Sequence, residues 1–154
     1  MKPVISKEEA AKIIAAARVR ADLPWERLAE KIGKPAVWTT AALLGQHALT
    51  SDDAAAIVAL LDLDESIAES VAEALRTQPY RGPGEQRIPT DPTIYRFYEA
   101  LMVYGPAIKE LIHEKFGDGI MSAINFRLDV QRRPDPAGDR VVVTLDGKFL
   151  DYQW

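Results

Sequence analysis

The sequence predicts an α+β protein, in which an amino-terminal bundle of five short helices is followed by two further helices and a β-hairpin. Glycine and proline are rare in residues 1–76, with two glycines and three prolines, and common in residues 77–154, with seven of each. Apolar residues recur at helical spacing as far as Phe116, and from Ile124 they alternate with polar residues as in a half-buried strand. The chain is therefore expected to have a helical first half and a mixed second half.

Helix start and stop signals divide the first half into five segments. Pro24 and Pro35 suit the first turn of a helix, whereas Gly33 and Gly45 stand where helices end. The predicted helices are residues 7–22, 24–32, 35–45, 51–61 and 64–76. We expect them to form one compact domain, residues 1–76.

The second and third of these helices resemble the helix-turn-helix pair of repressor-type DNA-binding domains. A helix that reads DNA needs Arg, Lys, Asn or Gln at base edges and basic neighbours for phosphates, and residues 36–42 (AVWTTAA) offer neither. Residues 1–76 also carry 12 acidic and only 9 basic side chains. We therefore predict a bundle that does not bind nucleic acid and whose Trp38 and Leu43 serve packing or oligomerisation.

Residues 77–90 have the composition of a linker, with three prolines and two glycines among polar residues. After it, Asp91 is an N-cap candidate and Pro92 suits the first helical position. An apolar stripe then follows one helix face at Ile94, Phe97, Tyr98, Leu101 and Met102. Gly105 and Pro106 predict a break, and residues 106–116 predict a second helix.

The last segment predicts a β-hairpin. One strand starts at Ile124, a turn follows in residues 132–138, a second strand starts at Val141, and Asp146–Gly147 predicts a further turn. A two-stranded hairpin is only marginally stable by itself. We infer that a partner chain completes residues 91–154, the predicted second domain.

Composition excludes several chemistries. The chain has no cysteine and two histidines, so thiolate catalysis and a zinc ribbon are excluded and a metalloenzyme is disfavoured. Its net charge of −4 argues against general binding to nucleic acid or anionic membranes. No apolar run approaches the roughly 18 residues of a membrane span, and the first residues lack a signal-peptide pattern. We expect a soluble, cytoplasmic protein.

Three side chains are candidates for chemistry. Arg96 and Glu99 are neighbours on one helix face, on the polar side, near a capped N-terminus and beside two tyrosines. Taken alone, such a pair is more often a solvated ion pair. Ser122 follows a glycine turn and precedes a strand, where its hydroxyl could contact an anion, although a simple capping role is the more common one. No nucleophile elbow surrounds Ser122, which disfavours a Ser-His-Asp hydrolase.

The chain also contains several long strings of unusual composition: RIPTDPTIYRFYEALMVYG (87–105), HEKFGDGIMSAINF (113–126), TLDGKFL (144–150), TTAALLGQ (39–46) and LLDLDES (60–66). Together they resemble the cyanase family, also called cyanate hydratase or cyanate lyase. The resemblance covers nearly the whole chain. It departs at His47, where a glutamine is common in the family, and in the tail, residues 151–154.

The resemblance implies an enzyme that converts cyanate and bicarbonate to carbamate and carbon dioxide, after which carbamate yields ammonia and more carbon dioxide. It implies that Arg96, Glu99 and Ser122 are catalytic, and that no metal or organic cofactor is needed, bicarbonate being a co-substrate. It also implies a homodecamer of five dimers, in which carboxy-terminal halves intertwine and active sites lie at subunit interfaces.

Overall fold

The computed structural model describes residues 4–80 and 88–153. In those ranges it has six helices followed by one two-stranded antiparallel sheet, so the predicted α+β class is confirmed. The chain divides into two compact units, Met1–Gly82 and Pro83–Trp154. Intertwining with a partner chain stays a prediction.

The first unit is the predicted five-helix bundle, and its helix bounds agree closely with those expected from sequence. The helices are α1 (Lys7–Arg20), α2 (Trp25–Ile32), α3 (Ala36–Leu43), α4 (Ser51–Leu60) and α5 (Glu65–Arg76). Gly33 ends α2 with a φ of 66°, a left-handed conformation that glycine adopts without steric cost. Thr50, one residue before the predicted start, caps α4 by accepting a hydrogen bond from the Asp53 amide.

Helix α1 begins with a reciprocal capping box. The Ser6 hydroxyl accepts a bond from the Glu9 amide at 3.1 Å, and the Glu9 carboxylate accepts one from the Ser6 amide at 2.7 Å. The Ser6 amide lowers the pKa of the Glu9 carboxyl, because its hydrogen bond favours the ionised form. These bonds satisfy two donors that the first turn of a helix leaves unpaired.

Apolar side chains from all five helices form the core of the bundle. Its largest fully buried apolar members are Ile14, Leu28, Leu43, Ile57 and Val71. Trp38 is half-buried and packs against this core. The apolar side of α3 therefore contributes to packing within the bundle.

The second unit begins with one long helix, α6 (Pro92–Phe116), of 25 residues. The Asp91 carboxylate caps it by accepting bonds from the Thr93 and Ile94 amides at 2.9 and 3.0 Å. The prediction of two helices is wrong, since α6 continues through Gly105 and Pro106. An internal proline removes one helical hydrogen bond and favours a kink, yet the helix can continue beyond it. The apolar stripe also continues on the same face past the proline, at Ile108 and Leu111.

Two long strands, β1 (Gly119–Arg133) and β2 (Arg140–Asp151), complete the second unit. Strand β1 begins five residues before the predicted start. The turn predicted at Asp146–Gly147 is also wrong, because both residues pair within β2, Gly147 with Phe126. From Phe126 onward cross-strand partners share a face, and Leu128 pairs with Leu145. The predicted burial of that face is not found within the described unit, because no other element fully covers the sheet there: Val130 is 55% exposed, and Ile124 lies in the irregular stretch of β1.

The segment predicted as a linker is only partly described. Residues 77–80 and 88–90 have no helix or strand, and residues 81–87 lie outside the described residues. Within the described ranges, no helix has the length and apolar character needed to cross a lipid bilayer.

Candidate active site

Arg96 and Glu99 lie three residues apart, at the start and the end of the second turn of α6. The Arg96 Nη1 donates to Glu99 Oε2 at 2.6 Å, a short charge-assisted bond. The side chains are 71% and 46% exposed. Because water screens such a pair, it contributes at most about 0.5 kcal/mol to the stability of the helix. The contact orients the guanidinium more than it stabilises the fold.

A groove of about 490 Å³ lies beside Arg96. Its lining residues are Pro92, Thr93, Arg96, Phe97, Val141 and Val143. The first turns of α6 and the start of β2 thus form a mostly apolar wall around one permanent cation. Such surroundings strengthen the attraction of a guanidinium for an anion once water is excluded.

Ser122 occupies an irregular stretch of β1, whereas the sequence predicted a turn before a strand. Met121 pairs with Phe149 and Phe126 pairs with Gly147, so residues 122–125 of β1 lie opposite the single residue Lys148 of β2. This bulge directs Ser122 inward, and the residue is only 5% exposed.

The Ser122 hydroxyl accepts two backbone hydrogen bonds inside the bulge. They come from the amides of Ile124 at 3.1 Å and Asn125 at 3.0 Å. With both of its lone pairs occupied, this oxygen can still donate its own proton. The geometry makes Ser122 a fixed hydrogen-bond donor, as expected for a group that contacts an anion.

The structure brings Arg96 and Glu99 into contact, but it does not join them to Ser122. Among the described residues, neither a hydrogen bond nor an ion pair links the serine to either side chain. The part of the chain that is described also has no cluster of three or more His, Asp or Glu side chains placed to hold a metal ion. The three candidates remain predictions as catalytic residues.

Sequence reasoning missed one residue next to this site. The Asp146–Gly147 pair predicts a turn, yet Gly147 lies inside β2 at the edge of the Ser122 bulge. A glycine within a strand pattern often marks a bulge or a close backbone approach, and that signal was available from the sequence.

Two family models match the two parts of the chain. The model described as cyanate hydratase, N-terminal, matches residues 7–76, and the model described as cyanate lyase C-terminal domain matches residues 86–154. Their boundaries leave residues 77–85 between them.

Relatives with the same family name match over nearly the full length. The chain is 57% identical to a cyanate hydratase of Mycolicibacterium vanbaalenii over 150 residues, which cover 97% of this chain and 95% of that protein. It is 50% identical to a cyanate hydratase of Dechloromonas aromatica over 149 residues, covering 97% and 99%. The crystal structure of cyanase from T. urticae superposes with a TM-score of 0.79 at 37% identity, covering 92% of this chain and 96% of that one. With both family models matched, the chain belongs to the cyanate hydratase family.

Proposed function

We propose that this enzyme decomposes cyanate in a reaction that requires bicarbonate, with Arg96, Glu99 and Ser122 as its active-site residues. An oxygen of bicarbonate forms a bond to the cyanate carbon, and the bond from that oxygen to the bicarbonate carbon then breaks. Carbon dioxide leaves, and carbamate remains once the cyanate nitrogen has gained two protons, one from bicarbonate and one from solvent. Carbamate takes up a further proton and separates into ammonia and the second carbon dioxide.

The observation that supports this proposal is that the chain holds both donors in place: Glu99 orients the Arg96 guanidinium, and two amides fix the Ser122 hydroxyl as a hydrogen-bond donor. Two monoanions about 4 Å apart repel each other by about 4 kcal/mol at an effective dielectric constant of about 20. Their adduct is a dianion, so the barrier falls when positive charge and hydrogen-bond donors are held in place before the reaction. Arg96 supplies the forked cation, and Ser122 donates a hydrogen bond to an anion oxygen.

Glu99 acts through Arg96. A carboxylate close to two anions would repel them, which argues against direct contact with substrate. Its 2.6 Å bond instead fixes the guanidinium in one rotamer. Holding a catalytic group in its working geometry lowers the entropic cost of reaching the transition state.

The enzyme is further proposed to work as a homodecamer of five dimers with active sites at subunit interfaces. Helix α6 has no buried residue in the described unit, and apolar side chains along one face, from Ile94 to Leu111, are each about half exposed. Ile124, beside Ser122 in the bulge, is 97% exposed. Because Arg96 is also largely exposed, a neighbouring chain is needed to exclude water from the site.

This arrangement needs neither a metal nor an organic cofactor, since the chain's own donors meet the charge of the adduct. The proposed role is cyanate detoxification together with supply of nitrogen as ammonia.

The test is ammonia release from cyanate with and without added bicarbonate, in buffer freed of carbon dioxide. We expect release to require bicarbonate and to yield two carbon dioxide molecules for each ammonia. The Arg96→Ala variant is the matched control, because it should assemble normally and release no ammonia above background. Ammonia release that ignores bicarbonate would indicate simple hydrolysis and contradict the proposal, as would binding of dianions without turnover.

A further inference from the structure

Gly147 lies directly against the backbone that carries Ser122. Strand β2 passes the bulge with Gly147 paired to Phe126 and Phe149 paired to Met121, so the glycine borders the widened part of the ladder. Its backbone contacts the segment that starts the bulge.

The approach leaves no room for a side chain at this position. A Cβ on Gly147 would collide with the carbonyl oxygen of Ser122 and with Cγ of Met121, and it would lie 3.2 Å from the Met121 sulfur. A flexible methionine can swing away, but a carbonyl oxygen moves only together with its own residue. A side chain at position 147 therefore forces the Ser122 backbone and β2 apart.

A shift of that backbone would disturb the hydroxyl. The Ser122 oxygen is held by the amides of Ile124 and Asn125, both within the bulge that Gly147 borders. A displacement of a reacting group by about 1 Å can lower a rate roughly a hundredfold.

We propose that Gly147 is a positioning residue for Ser122: its missing side chain allows β2 to approach closely enough to set the bulge in which the serine hydroxyl accepts hydrogen bonds from two amides and keeps its own proton free to donate. The proposal rests on the catalytic role of Ser122 proposed above. According to the proposal, Gly147 affects turnover only by fixing the position of the Ser122 hydroxyl.

The experiment compares Gly147→Ala with Gly119→Ala in the assembled enzyme. Gly119 is a matched control, because a Cβ there would also be crowded within the same hairpin, by the Leu150 carbonyl and by the Phe149 ring, whose Cζ would lie at 2.5 Å. Its crowding involves β2 and not the Ser122 backbone. Hydrogen exchange of the peptide spanning residues 123–126, kcat and the thermal midpoint are measured for both.

For Gly147→Ala we expect faster exchange at the Ile124 and Asn125 amides, similar to that of Ser122→Ala, and a fall in kcat of roughly a hundredfold. For Gly119→Ala we expect exchange at these amides as in the parent enzyme, even where the thermal midpoint falls equally. Exchange in Gly147→Ala that matches the parent would overturn the proposal.

A double variant separates the two collisions. Met121→Ala/Gly147→Ala removes the side-chain collision and keeps the one with the Ser122 carbonyl, so we expect its kcat to stay low. Restored turnover in the double variant would assign the effect to Met121 and overturn the proposal. Failure of both Gly147→Ala and the double variant to fold would also overturn it, because the glycine would then be required for folding and not for placing one hydroxyl. A fully active Ser122→Ala enzyme would instead contradict the proposed function, whatever the exchange data show.

Discussion

The short bond between Arg96 and Glu99 is the clearest contact in the candidate site, and its value lies in orientation. Exposed ion pairs contribute about 0–1 kcal/mol to stability, too little to explain a specific arrangement on a helix surface. A guanidinium that must meet two small anions, however, benefits from having one rotamer selected in advance. We therefore interpret Glu99 as a positioning residue.

Glu99 variants separate positioning from proton transfer. Glu99→Gln keeps an oxygen that accepts from Arg96 but cannot take up a proton at neutral pH, whereas Glu99→Ala removes both properties. We expect Glu99→Gln to retain kcat within about tenfold of the parent, since a neutral acceptor still holds the guanidinium through a weaker hydrogen bond. Steady-state ammonia release measures this. A glutamine variant as inactive as the alanine variant would show that Glu99 moves protons.

Arg96, Glu99 and Ser122 could be selected as candidates from the sequence, because their types suit anion chemistry and the strings around them resemble one family; the residue types alone favoured ordinary structural roles. The sequence could not predict which groups form hydrogen bonds with the Ser122 hydroxyl. Its two amide partners depend on the register between β1 and β2, which is set by residues some 25 positions away in the chain. The role proposed for Gly147 could not be predicted either, because it depends on the same register between β1 and β2.

At the scale of elements, local signals were reliable where the structure is local. Caps and glycine stops fixed the five bundle helices to within about two residues, as expected for contacts between near neighbours in sequence. The two errors lie in the second unit. Gly105–Pro106 and Asp146–Gly147 each carry a strong local break signal, which the continuous apolar face of α6 and the ladder of β2 override.

The cap of α6 offers a test of how this element supports the site. Asp91 accepts from two amides at the start of the helix, five residues before Arg96. Asp91→Ala should cost about 1 kcal/mol of stability and fray the turn that precedes Arg96, lowering kcat/KM for cyanate. Asp91→Asn keeps the capping oxygen and is the matched control.

Thermal midpoints and kcat/KM measured together decide the matter. We expect both to fall in Asp91→Ala and to stay near the parent values in Asp91→Asn. Equal losses in the two variants would mean that the negative charge of Asp91, and not its capping bond, is what the site requires.

At the scale of the whole molecule, the net charge and the incomplete burial of the second unit both indicate that partner chains complete the site. A net charge of −4 repels anionic substrates on average, so productive binding depends on locally gathered cations. Within one described chain, Arg96 lies on an exposed helix, and no hydrogen bond joins it to Ser122. The sequence predicted that partner chains complete this half, and the exposed face of α6 supports that prediction. Which residues a partner contributes depends on surfaces of another molecule, which no pattern within one chain encodes.

A charge on the apolar face of α6 tests the shared site. Leu101 is 58% exposed in the described chain, and Leu101→Glu would bury an unpaired carboxylate if this face packs against another chain, at a cost of several kcal/mol. We expect this variant to sediment as smaller species and to lose ammonia release. Ala107→Glu, on the side of the helix that carries Arg96 and exposed in the described chain, introduces the same carboxylate away from the apolar stripe and should remain assembled and active. Dissociated Leu101→Glu chains that turn over cyanate at the parent rate would contradict active sites built at subunit interfaces.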